Sequence, residues 1–193
     1  MTDFGRLYEF AFRGILTDVA LDSAGRKNLG NSDSLDSQLA ARLSIEILDE
    51  TFVGAAKRMA TVYVAVAAFE NSARKLIETV LLEKKGSNWW QTTVSENIRK
   101  RAETRRDDEI KNKWHGQRGD TFINYTDLAQ LGNIIGQNWA LFEPFFVSLE
   151  WVKNIFDVIE RSRNVIMHSG TLDVIDIERI GIHIRDWVKQ VGA

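Results

Sequence analysis

The chain has 193 residues, the length of one domain or of a domain with an arm, and its 44% hydrophobic and 27% charged residues exclude wholesale disorder. Twenty-five Lys and Arg against 27 Asp and Glu leave a net charge of −2, which excludes a protein that holds nucleic acid through bulk charge. The absence of cysteine removes disulfides, thiolate metal sites and cysteine nucleophiles together, and fits a reducing compartment.

In chain order the periodicity is helical nearly throughout. Phe4, Tyr8, Ala11, Ile15 and Val19 recur at three- and four-residue spacing and predict an amphipathic first helix. Residues 22–37 are rich in Gly, Ser, Asn and Asp and are expected to form a mobile surface loop, so that residues 1–35 make a helical arm. A second helix is expected from about Leu35 to Asp49. A third starts near Thr51 and runs to Lys84-Lys85-Gly86, where basic residues in the last turn and a glycine beyond form a stop signal. Its longest wholly apolar run, Val62 to Phe69, is far shorter than the roughly 20 residues needed to span a bilayer. The first residues lack the basic-then-apolar pattern of a secretory leader. A soluble, cytoplasmic protein with no membrane partner is the expectation.

After a turn at Ser87-Asn88-Trp89-Trp90, a charged helix is expected over 91–112. Adjacent tryptophans cannot both be buried on one helix face, so one is expected to pack and the other to face a partner. Residues 99–118 hold eight basic and four acidic side chains, a local net charge of +4. Arg99, Lys100, Arg101, Arg105, Arg106, Lys111 and Lys113, with Arg118 in the loop beyond, are therefore candidates to hold a nucleic-acid backbone, and the loop residue Trp114 to stack on a base; a solvated helix with internal ion pairs is the plainer alternative. Thr126 or Asp127 is expected to cap a short helix ending near Gly136. Pro144 suits the first turn of a long helix reaching Met167, and Asp173 opens a last one through Trp187. The fold class expected is all-α, a bundle of about six or seven helices spanning residues 36–193.

The long helix near the C-terminus carries a conflict between pattern and residue. Phe145, Leu149, Val152, Phe156 and Ile159 form an apolar stripe, and the next place in the series is Arg163. A guanidinium facing a core is costly unless a carboxylate meets it or a ligand uses it. In the third helix Met59, Tyr63, Val66, Ile77 and Leu81 share a face on which Glu70 lies. Glu70 is thus the expected partner of Arg163, with Glu78 a weaker choice. His168 follows five residues later. On an ideal helix, at about 100° per residue, Arg163 lies about 140° from His168, whereas Arg161 lies only about 20° from it.

Arg163-Asn164 followed by His168 resembles the R-x4–6-H motif of HEPN domains, in which a polar residue directly follows the arginine. The run Ala67-Ala68-Phe69-Glu70-Asn71-Ser72-Ala73-Arg74-Lys75-Leu76-Ile77-Glu78, then Gly86 and Trp89-Trp90, is similar to one HEPN subgroup, found attached to nuclear RNA-surveillance endonucleases and in prokaryotic defence and toxin proteins. The resemblance covers roughly residues 60–190. It implies a helical domain that dimerises to bring two motifs into one cleft, and an endoribonuclease needing neither cofactor nor metal. RNA is then the substrate, and an antitoxin or a larger defence complex is a possible partner. Arg163 would stabilise phosphate charge, His168 would move protons, Asn164 would orient the imidazole or a phosphate oxygen, and Glu70 and Arg161 would support them. A non-catalytic module that binds RNA or a nucleotide, or scaffolds a complex, is the alternative. One departure stands out: some HEPN toxins carry a tyrosine two residues after the histidine and are silenced by nucleotide transfer to it, whereas this chain has Gly170.

Overall fold

The computed structural model describes residues 32–191, and the expected first helix at 4–19 lies outside them. The chain divides into two compact units between Val53 and Gly54. Among the described residues there is no strand and there are eight α-helices, so the protein is an all-α bundle. Six of the eight have ten residues or more, and the other two are single turns.

In the first unit, α1 (Ser32–Arg42) begins inside the stretch expected to be a loop and ends well before Asp49. It stops because Ser44 takes a left-handed conformation, φ 50°, which turns the chain into a short 3₁₀ turn at Ile45–Ile47. Helix α2 (Glu50–Lys85) crosses into the second unit and ends at Gly86, where φ is +73°. By length and composition alone α2 would pass for a membrane-crossing helix, since an 18-residue window averages a hydropathy of 1.4; core helices pass the same test.

In the second unit the expected 91–112 helix is two helices, α3 (Trp89–Thr93) and α4 (Glu96–Lys111). They part at Val94-Ser95, where the Ser95 N–H donates to Gln137 Oε1 at 3.0 Å. Because α3 is one turn set into the core, both tryptophans are buried. Trp90 stacks on Phe122 at 5.8 Å and Trp89 meets Trp90 edge-on. The expectation of one packed and one outward tryptophan is thereby corrected: a one-turn helix can be covered on several sides at once.

Helix α5 (Leu128–Gln137) opens with a reciprocal cap. Asp127 Oδ1 accepts from the Gln130 N–H at 2.8 Å, and Gln130 Oε1 accepts from the Asp127 N–H at 3.1 Å. After α6 (Trp139–Phe142), Pro144 sits in a separate 3₁₀ turn, Glu143–Phe145, rather than in the long helix. Ser148 caps α7 (Leu149–Met167) by accepting from the Trp151 N–H at 3.1 Å. Helix α8 (Val174–Val191) follows, with Asp173 Oδ1 accepting from the Asp176 N–H.

The core lies between α2, α5, α7 and α8. Val66, Phe69, Ala73 and Ile77 of α2 face Val152, Phe156 and Ile159 of α7, all essentially buried. Trp187 of α8 is the hub, with Phe69, Phe146 and Phe156 rings within 5.3 Å of its centroid. Gly132 and Gly136 of α5 lie where a Cβ would meet Phe156 and Leu149 of α7 at 3.3 Å, so the two glycines let these helices approach closely.

Candidate functional site

Helix α7 buries Val152, Phe156 and Ile159, and Arg163 continues their face into a gap in the core. There its Nε lies 3.4 Å from Glu70 Oε2 on α2, while about a third of the arginine side chain stays open to solvent. Glu70 itself is buried, 7% exposed. One turn further along α2, Arg74 donates from Nη2 to the other oxygen, Glu70 Oε1. Arg74 also donates to the carbonyls of Ile123 at 3.2 Å and Thr126 at 2.9 Å, and from Nη1 to Asn71 Oδ1 at 3.2 Å. The buried carboxylate is thus held between two guanidiniums, which offset the cost of taking its charge out of water. Arg74 ties α2 to the 122–126 turn as it does so.

The gap opens as a cleft of about 240 Å³, lined among others by Tyr63, Glu70, Asn71, Arg74, Arg118 and Arg163. Arg118 enters from the loop after α4, its Nε 2.7 Å from Glu109 Oε1 and its backbone N–H donating to Glu109 Oε2 at 3.0 Å. Arg163 and Arg118 are arranged alike: a carboxylate meets Nε. The two terminal nitrogens ahead of it form the planar fork that suits a phosphate. Glu160 stands one turn before Arg163 and accepts from the Ala129 N–H at 3.0 Å, in the first turn of α5. Burial and the nearby Asp127 push its carboxyl above the ordinary value, against the pull of that N–H and of Arg163.

His168 closes α7. The Ser169 N–H donates to the Ile166 carbonyl at 3.0 Å and the Gly170 N–H to the Val165 carbonyl at 2.8 Å, with Ser169 left-handed at φ 62°. This is the paired-bond helix ending usually built around a glycine. The His168 N–H donates to the Asn164 carbonyl at 3.1 Å, and both side chains are exposed. Neither is among the residues lining the cleft of Arg163. Arg161 is exposed and pairs with Asp157 at 2.8 Å, one turn back on its own helix.

The basic residues of α4 diverge. Arg105 turns inward, donating to the Tyr125 carbonyl at 2.7 Å and to Gln130 Oε1 at 3.0 Å and meeting Asp127 at 3.1 Å. Arg106 lies over the Phe122 ring, 4.8 Å from its centroid, and Arg99 Nε donates to the Val94 carbonyl. Arg101 and Lys113 are exposed, as is Trp114 at 86%, its ring edge-on to His115. Glu78 lines a second pocket beyond Asn71. His183 on α8 is half-buried, and burial lowers its pKa.

Sequence reasoning gave no role to Arg74, Asn71 or Asn124, which line the cleft, whereas Arg118, expected within the basic strip, lines it as well. An arginine one turn after the buried glutamate was the available signal for Arg74. Among the described residues no group of three or more His, Cys, Asp or Glu side chains is placed to hold a metal ion. Compared with known protein families, curated proteins and solved structures, the chain finds no match.

Proposed function

We propose that the chain is a HEPN-type endoribonuclease that works without metal as a homodimer, in a toxin or anti-phage defence setting in the cytoplasm. The observation that carries this reading is Arg163: a guanidinium braced at Nε by buried Glu70 and lining an open cleft, five residues before an exposed helix-end histidine. In the reaction the RNA 2′-oxygen attacks the adjacent phosphorus as the bond to the 5′-oxygen breaks. The products are a 2′,3′-cyclic phosphate and a 5′-hydroxyl. One proton leaves the 2′-hydroxyl and one must reach the departing oxygen, a task suited to imidazole near neutral pH. The phosphorane's added negative charge falls to the Arg163 fork. Since His168 does not line its own chain's cleft, the imidazole comes from the second copy. The exposed apolar side chains Met167, Val174, Ile175 and Ile182, on and after the same helix end, favour such pairing.

Purified protein should cut RNA in EDTA and leave 2′,3′-cyclic ends. His168→Ala and Arg163→Ala should each lower the rate by about 10²–10⁴-fold. Cutting that survives both substitutions, or that EDTA abolishes, removes the assignment. A non-catalytic module that binds RNA or a nucleotide is the second reading, favoured by the absence of His168 from the lining of the cleft. It predicts RNA binding that Arg163→Ala weakens, with no cleavage by the wild type.

A further inference from the structure

Beyond the Arg163 cleft lies a second compartment of about 360 Å³, within the range of small-ligand sites, roughly 300–1,000 Å³. The two share Asn71, Arg74 and Asn124 as a common wall. Their chemistry differs sharply. The inner compartment is lined by three arginines, two meeting Glu70 and the third Glu109, so positive charge is in excess by one. The outer one sets Lys75 and the shared Arg74 against Glu78 and Asp120, with Thr121 beside them. At the junction both asparagines are anchored by their oxygens: Asn71 Oδ1 accepts from Arg74, and Asn124 Oδ1 accepts from the Thr121 N–H at 3.2 Å and hydroxyl at 2.8 Å. Each amide is therefore oriented with its NH₂ as the remaining donor.

These features select an occupant. The arginine forks favour one phosphate in the inner compartment, and the outer one, whose two carboxylates balance its two cations, holds no surplus positive charge for a second. Glu78 and Asp120 are acceptors, so the outer occupant must bring N–H or O–H donors without negative charge. A ribose hydroxyl or a base amino group does so. We infer that the two compartments form one trough for a single nucleotide of the RNA strand, its phosphate on Arg163 and Arg118 and its nucleoside against Glu78, Asp120 and the two asparagines. The inference rests on the ribonuclease reading for its substrate and adds a determinant of which nucleotide adjoins the phosphate.

Calorimetric titration of the full chain with inorganic phosphate and with each of the four nucleoside 3′-monophosphates tests it. The best nucleotide should bind about tenfold or more tightly than phosphate, the gain expected from one or two added hydrogen bonds. Glu78→Gln should bring that ratio down toward one, and Arg163→Ala should weaken both ligands. Asp120→Asn, on an exposed loop position, gives the same reading should Glu78→Gln fold poorly. A wild-type ratio near one, or a ratio untouched by both outer substitutions, overturns the inference. The same preparations assayed for RNA cleavage in EDTA separate the two claims. Cleavage with a ratio near one leaves the ribonuclease and removes the nucleoside site; a large, Glu78-dependent ratio without cleavage does the reverse. An RNA oligonucleotide should displace the mononucleotide. If RNA is cut while the mononucleotide stays bound, the trough is not the path of the substrate and the inference falls.

Discussion

Glu160 has little to gain from its charge. It stands between Asp127 and Glu70, is half-buried, and is drawn down only by the Ala129 N–H and by Arg163. Its folded pKa is raised above the ordinary 4.5, so between those two values the native state binds more protons than the unfolded chain. Stability therefore falls as pH rises through that window, and the penalty persists at neutral pH. Glu160→Gln keeps an oxygen for the Ala129 N–H and removes the charge. The variant should melt above wild type at pH 7, and the difference should vanish near pH 3.5, where the wild-type carboxyl is protonated in both states. Melting followed by circular dichroism at the two pH values checks this, and a lower melting point at pH 7 contradicts it. At this scale Arg163 and Glu70 were legible because each is a charged residue on an otherwise apolar helix face. Arg74 was not, and Arg118 was legible only as one charge of the basic stretch. Arg74 is fixed by carbonyls 49 and 52 residues along the chain, and Arg118 by a glutamate on a neighbouring element.

Helix endings decide how the site is displayed. Where the end is set by adjacent residues, the sequence announces it, as at Lys84-Lys85-Gly86 and at the Asp127–Gln130 cap. The break between α3 and α4 is marked locally only by Ser95 at the N-cap and Glu96 in the first turn of α4, and the Ser95 N–H is satisfied by Gln137, 42 residues away. At Pro144 the proline does start a helical turn, but Ser148 holds the stronger cap and the long helix starts there instead. The end of α7 is the one that matters most for His168. Ser169 adopts the left-handed conformation that costs an L-residue roughly 1–2 kcal/mol, of which glycine's extra chain entropy would return part. Ser169→Gly should then stabilise the protein by about 0.5–1 kcal/mol, raising Tm by roughly 1–4 °C for a chain of this size. Gly170 is the opposite case. A Cβ there would lie 2.7 Å from Val165 Cγ1 and 2.9 Å from its carbonyl oxygen. Gly170→Tyr should cost about 1–3 kcal/mol and displace the helix end that carries His168. The tyrosine by which some HEPN toxins are silenced does not fit this ending, and a melting point unchanged in Gly170→Tyr would show otherwise.

Over the whole molecule, charge is gathered by folding rather than by composition. The net charge of −2 hides a basic stretch at 99–118, yet only Arg118 of that stretch lines the cleft, beside Arg74 and Arg163 from two other helices. On the proposed ribonuclease reading, a cleft holding arginines and no histidine would be half of a general acid–base site, and a two-fold pair of copies would supply the missing half reciprocally. That arrangement has a distinctive consequence. Let one copy carry Arg163→Ala and the other His168→Ala, each inactive by itself. If a site takes Arg163 from one chain and His168 from its partner, every mixed dimer holds one site with both substitutions and one with neither. Random pairing of equal amounts makes half the dimers mixed, so the mixture should recover about one quarter of wild-type cleavage. If both residues act within one chain, every site in the mixed dimer lacks one of them and nothing is recovered. Co-refolding the two variants and measuring RNA cleavage in EDTA distinguishes these outcomes. Diluting the wild type until specific activity falls gives the dissociation constant of the pair that the recovered activity requires.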